Sequence, residues 1–145
     1  MDRGDYKEAL AQITRVTTRS ETAWDANMME VQLREKLGDT VGTRPALERL
    51  LWISPYDVTL HAKMAELATR TGDHKTALRE RRAIVALNPP DPIDARYELA
   101  RALAASGDVA SARRELLGVL EQAPSFEKGQ ALLLELRAAQ GKSTP

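Results

Sequence analysis

The chain of 145 residues fits one domain or one array of repeats. Its 21 basic and 21 acidic residues cancel to a formal net charge of zero, and aromatics are only 4%, so neither general polyanion binding nor base stacking has support. Cysteine is absent, which excludes disulfides, thiolate metal sites and thiol catalysis.

Residues 5 to about 20 read as a helix, with Asp5 as its cap, Glu8 completing a capping box, and Ala9, Leu10, Ile13 and Val16 as one apolar stripe. Ser20 and Thr22 mark a turn before a second helix from about Trp24 to Leu37, which Gly38 ends in a left-handed conformation. The third segment carries Gly42 and Pro45 early. An interior proline costs about 3 kcal/mol, so this helix is expected to start late, near Thr43, with Pro45 in its first turn where a missing N–H does no harm. It turns Leu47, Leu50, Leu51 and Ile53 inward and stops at Ser54-Pro55. Asp57 caps the fourth helix, whose inward face is Leu60, Met64, Leu67 and Ala68.

Gly72-Asp73 opens the fifth helix, with Ala77, Leu78, Ile84, Val85 and Leu87 inward. In Pro89-Pro90-Asp91-Pro92, an Asp cap followed by proline starts the sixth, which buries Ala95, Leu99, Ala102 and Leu103. After Gly107-Asp108 the seventh buries Val109, Ala112, Leu116, Val119 and Leu120. Ser125 caps a last helix to about Gln140, ahead of a disordered tail from Gly141 to Pro145. Eight helices and no strand pattern make the chain all-α. No apolar run approaches the roughly 20 residues that span a bilayer, and MDRGDYKEAL holds no apolar signal core, which favours the cytoplasm for the chain as given.

The glycines at Gly4, Gly38, Gly72, Gly107 and Gly141 lie 34, 34, 35 and 34 residues apart, each of the first four followed by aspartate or, at Gly141, by lysine. A closing proline follows the second helix of each unit at Pro55, Pro89 and Pro124. Such a period implies helical hairpins that cannot cover their own apolar faces and bury the rest by stacking on their neighbours. Small residues at Ala77 and Ala112 let the paired helices approach closely.

In these residues the chain resembles the tetratricopeptide repeat family, with a Gly-Asp turn, a small residue opening the second helix and a closing proline on a 34-residue period. The resemblance implies a right-handed α-solenoid, a single array over 1–145. Full repeats fall at 24–57, 58–91 and 93–126, preceded by a lone second helix (2–22) and followed by a capping helix (127–140) and the 141–145 tail. Departures are Thr43 for the usual alanine, Glu30 and Arg34 at apolar positions, and His61 and Arg96 where a bulky apolar residue is common.

The resemblance also implies that the first helices line a concave groove that takes a protein or peptide partner. Its lining would be Asp25, Met28, Met29, Gln32, Glu35 and Lys36 in the first repeat, and Thr59, Ala62, Lys63, Glu66, Thr69 and Arg70 in the second. The third would offer Asp94, Tyr97, Glu98, Arg101, Ala104 and Ala105. Met28 and Tyr97 are the adaptable apolar contacts, with Lys63, Arg70 and Arg101 to orient a ligand. Members that clamp acidic chaperone tails use lysine and asparagine in the first repeat, asparagine in the second, and lysine and arginine in the third. This chain has Met28 and Gln32, then Lys63, then Asp94 and Glu98, whose carboxylates would face the ligand's own, so that activity is rejected.

The two histidines, His61 and His74, have no ligand-spaced partner, and no nucleophile–base pair or phosphate loop is present, so no metal, no cofactor and no catalysis are expected. The run from Arg79 to Arg82 reads as a solvated face balanced by Glu80. The expected function is a non-catalytic interaction scaffold without nucleic-acid binding or membrane insertion. The alternative is a structural or oligomerisation module at the C-terminal end of a larger, enzymatic polypeptide. Beginning on a second helix suggests a fragment of a longer protein, or a homodimer in which another copy covers Ile13 and Val16, with Leu132 as a second association residue.

Overall fold

A computed structural model describes residues 2–141. Among the described residues eight helices and no strand are present: α1 (Arg3–Arg19), α2 (Trp24–Leu37), α3 (Thr40–Ile53), α4 (Val58–Arg70), α5 (His74–Ala86), α6 (Pro92–Ala105), α7 (Val109–Gln122) and α8 (Glu127–Gly141). The fold is all-α, as the periodicity implies. The helices fall into two compact units, residues 1–67 and 68–145, with the boundary inside α4.

One dipeptide makes the tight corner after each of α2, α4 and α6. Gly38, Gly72 and Gly107 have φ of 72°, 73° and 91°, the left-handed region that glycine enters without a Cβ clash. That twist aims the next N–H back at the helix just ended: Asp39 N donates to Arg34 O (2.9 Å), Asp73 N to Ala68 O (2.8 Å) and Asp108 N to Leu103 O (3.0 Å). The same aspartates cap the helix that follows, accepting from Gly42 N (2.9 Å), Thr76 N (3.0 Å) and Ser111 N (3.0 Å). Five residues, Leu87 to Asp91, join α5 to α6, whereas four join α3 to α4 and α7 to α8. The extra residue is absorbed by Asn88, at φ 53°, a left-handed position that asparagine tolerates.

In the first unit α2 packs against both α1 and α3. Val31, Ala46, Leu47, Leu50, Leu60, Met64 and Leu67 form its core, with Trp24, Met28 and Leu51 at the edge. Three sequence expectations fail here. The first helix starts at Arg3, not near Asp5: Asp2 is the N-cap and Asp5 its capping-box partner, so Gly4 lies within the helix and makes no turn. Helix α3 starts at Thr40, not Thr43, because the Asp39 cap fixes its first turn regardless of the proline. Pro45 therefore sits inside the helix, on its exposed side. Thr43 is 2% exposed and donates its hydroxyl to Asp39 O (2.6 Å), so the polar replacement for alanine is satisfied.

In the second unit α6 packs against α5 and α7, and α8 packs on α7. Leu99, Leu103 and Ala112 form one cluster, and Ala100, Leu116 and Leu133 another. Glu80 is 3% exposed and paired with Arg79, so the run from Arg79 to Arg82 is not a wholly solvated face: Arg79 stays exposed, while Arg81 pairs with Glu98 (3.2 Å). Ser125 lies just outside α8, which starts at Glu127 behind Phe126, whose carbonyl accepts from Gly129 N and Gln130 N. Gly141 is the last residue of α8; the rest of the expected tail, 142–145, lies outside the described residues.

Two predictions test the corners. A Cβ at Gly72 would meet nothing within 4 Å, so Gly72→Val isolates the backbone cost and lowers stability by roughly 1–2 kcal/mol in urea unfolding. Hydrogen bonds from Gly42 N and Ser111 N, the largest influence at each site, hold the Asp39 and Asp108 carboxyls below their usual range. Folded values below unfolded ones give stability that is complete above about pH 4 and lost as pH falls through the folded values. Replacing both with asparagine, which still accepts the capping bond, flattens the acid limb of a melting-midpoint profile.

Candidate binding faces on the first helices

The rows assigned to a ligand fall on exposed and half-buried positions of α2, α4 and α6. In the first unit, Gln32 and Glu66 are exposed and Met28 is half-buried against the core, which leaves Met29, 52% exposed, as the more accessible methionine. Lys63 is not a free cation. Its Nζ donates to both carboxylate oxygens of Glu35, at 3.0 and 3.1 Å, and so ties α4 to α2.

In the second unit, Arg70 is exposed at the end of α4 and Asp94 is half-buried in the first turn of α6. Tyr97 is half-buried too, with its ring edge-on to Phe126 at 5.3 Å between centroids and 78° between planes. Glu98 accepts from Arg101 (3.0 Å) and pairs with Arg81 (3.2 Å), so one carboxylate holds two guanidiniums. Arg101 keeps a 53% exposed side chain. Three assigned charges, Lys63, Glu98 and Arg101, are therefore compensated within the protein. Of the proposed association residues, Ile13 is half-buried and Val16 47% exposed, whereas Leu132 is half-buried in the α6–α7–α8 cluster and the exposed leucine of α8 is Leu134. Among the described residues no group of three or more His, Asp or Glu side chains could hold a metal ion, and no helix is long and apolar enough to cross a membrane.

Two features escaped the sequence reading. Glu30 is only 2% exposed, yet both its oxygens are occupied. Thr17 donates to Oε2 (2.7 Å) and Arg49 Nη2 lies 2.6 Å from it, while Arg34 Nε reaches Oε1 at 2.8 Å. Arg49 also donates to Asn27 Oδ1 (2.7 Å), and Arg34 pairs with Asp39. The apolar residue expected at this place is replaced by an ion cluster joining α1, α2 and α3. A Cβ at Gly42 would collide with Arg34 Nη1 and Asp39 Oδ2, so the glycine clears the way for that pair. The second feature is a side-chain clasp to the carbonyl six residues back. Asn27 Nδ2 bonds Glu21 O (2.8 Å), His61 Nε2 lies 3.0 Å from Pro55 O, and Gln130 Nε2 bonds Pro124 O (2.6 Å). A carbonyl only accepts, so His61 carries its proton on Nε2. Arg96, at the corresponding place in α6, reaches Glu115 instead (3.0 Å), over Gly118, where a Cβ would come within 2.8 Å of its Nη2.

The tetratricopeptide repeat family model matches residues 72–136. No curated protein matches the chain. Among solved structures, YrrB, described as a tetratricopeptide repeat protein with an unusual peptide-binding site, is 18% identical with a TM-score of 0.76, covering 97% of this chain and 72% of its own. MamA from Desulfovibrio magneticus RS-1, from residue 41 to its end, is 18% identical at TM-score 0.74 (96% and 78%). PilW, a type IV pilus biogenesis factor, is 18% identical at TM-score 0.65 (95% and 64%). At these identities the likeness shows the fold, and the fold is that of tetratricopeptide repeat proteins.

The Glu30 cluster yields a stability prediction. Glu30→Ala strips two guanidiniums of their shared carboxylate and costs about 3 kcal/mol in denaturant unfolding, whereas Thr17→Val, which removes one of several bonds, costs about 1 kcal/mol.

Proposed function

We propose that this tetratricopeptide repeat chain is a non-catalytic scaffold that binds a peptide or partner segment on its first-helix faces, with repeats over 24–57, 58–91 and 93–126. The observation that carries the reading is the internal pairing of the charges there. With Lys63 held by Glu35, and Arg101 and Arg81 both on Glu98, these faces offer no cluster of unpaired cations for an acidic tail. What they do offer is apolar and polar contact at modest charge: Met29 with Gln32 on α2, and the outer edge of Tyr97 beside Arg101 on α6. A ligand of this kind is a peptide of mixed composition, anchored by an apolar side chain and bonded through its main chain. YrrB, a solved structure of this fold, is described as having an unusual peptide-binding site, which supports the reading by analogy.

Panning a random-peptide display library against the full chain tests this. Enriched peptides are expected, and Arg101→Glu or Tyr97→Ser should weaken them at least tenfold while Arg79→Glu leaves them unchanged. A circular dichroism melt of Tyr97→Ser separates lost contact from lost packing against Phe126. Either no enrichment, or enrichment indifferent to Arg101 and Tyr97, would sink the proposal.

A further inference from the structure

The outer face of α3 is the anomaly of the surface. Val41, Pro45, Glu48 and Trp52 recur at intervals of 4, 3 and 4 residues and all four are exposed, Val41 by 84% and Trp52 by 87%. The opposite face of the same helix carries buried Thr43, Ala46, Leu47 and Leu50. Tyr56, 80% exposed, lies in the turn just past the helix. The repeat period shows what is ordinary at these places. The matching residues of α5 are Lys75, Arg79, Arg82 and Ala86, and those of α7 are Ala110, Arg114, Leu117 and Glu121. Only α3 puts valine, proline and tryptophan where α5 has lysine, arginine and alanine. Nothing within the first unit requires them, since all point to water.

We propose that this face is a homodimer interface, in which α3 of one copy packs antiparallel on α3 of a second about a two-fold axis between Pro45 and Glu48. Three observations select a second copy as the occupant. The 4-3-4 spacing of the stripe reads the same in both directions, so about that axis Val41 and Trp52 are equally far out, as are Pro45 and Glu48, and each tryptophan lands on the other copy's valine. The charges then complement one another. Arg44, on the flank of the stripe, comes level with the partner copy's Glu48 within one residue's rise of about 1.5 Å, and the pair occurs twice. The area also fits a reversible dimer. Each aromatic side chain presents roughly 150–250 Å², so Trp52 and Tyr56 of two copies, with Val41 and Pro45, bury about 1,000 Å² in total, the lower end for specific association.

Sedimentation equilibrium of the full chain over a concentration series tests this. A monomer–dimer equilibrium is expected, which Trp52→Glu weakens at least tenfold without altering the circular dichroism melt. Arg44→Glu and Glu48→Arg should each weaken it several-fold, and the double variant, which inverts the pair in both copies, should restore it. In a Trp24→Phe background, Trp52 emission should shift to the blue as concentration rises. A monomer at every concentration, a dimer indifferent to Trp52→Glu, or no rescue in the double variant would overturn the proposal. So would a strict monomer whose Trp52 emission shifts only on adding phosphatidylserine–phosphatidylcholine vesicles, which would assign the face to a membrane surface.

Discussion

A two-residue corner sets the terms for the rest of this structure. Glycine at φ near 70–90° lets the next aspartate send its N–H back to the helix behind and its carboxylate forward to the helix ahead. Ending one helix and starting the next with the same dipeptide leaves no slack, and within each unit the helices so joined, α2 with α3 and α6 with α7, pack along each other. Their apolar residues then meet at fixed heights, and the small side chain of Ala112 is buried near the start of α7. The hydrophobic clusters follow from that spacing.

Charge is used inside the fold before any ligand arrives. Glu30 replaces an apolar contact by an ion cluster that reaches three helices, and it is tolerable because both oxygens are bonded and the two guanidiniums keep partial contact with water. Removing one member costs more than the cluster adds relative to an apolar core. Glu98 and Glu35 play a milder version of the same part nearer the surface, and the first-helix faces are consequently close to neutral despite their many charged residues.

Much of the fold was legible because it rests on local chemistry that leaves a mark in composition. The turn glycines at 38, 72 and 107, the capping aspartates at 57 and 91 and the limits of α2 could all be read. Where propensity competed with a cap the reading failed: Pro45 suggested a late start for α3, but Asp39 had already fixed one. Gly4-Asp5 imitated a corner, yet Asp2 capped the helix earlier. The candidate faces were harder to read. A sequence shows that Lys63 and Glu35 are charged, not that a 28-residue separation brings them together, and it could not show that Leu132 turns inward while Leu134 turns out. Glu30 looked like a misfit because two of its three bonding partners, Thr17 and Arg49, come from distant parts of the chain.

The side-chain clasp bears on how such an array tolerates change in length. Asn27, His61 and Gln130 each reach the carbonyl six residues back, a span that one added residue would disrupt by carrying the donor past its acceptor. At the α5–α6 corner that span is already abandoned, since Arg96 turns to Glu115. It is also the corner that holds the chain's one supernumerary residue, with Asn88 bent left-handed to make room. Length variation in this chain is therefore confined to the joint with no bond to lose, and the other joints act as rulers.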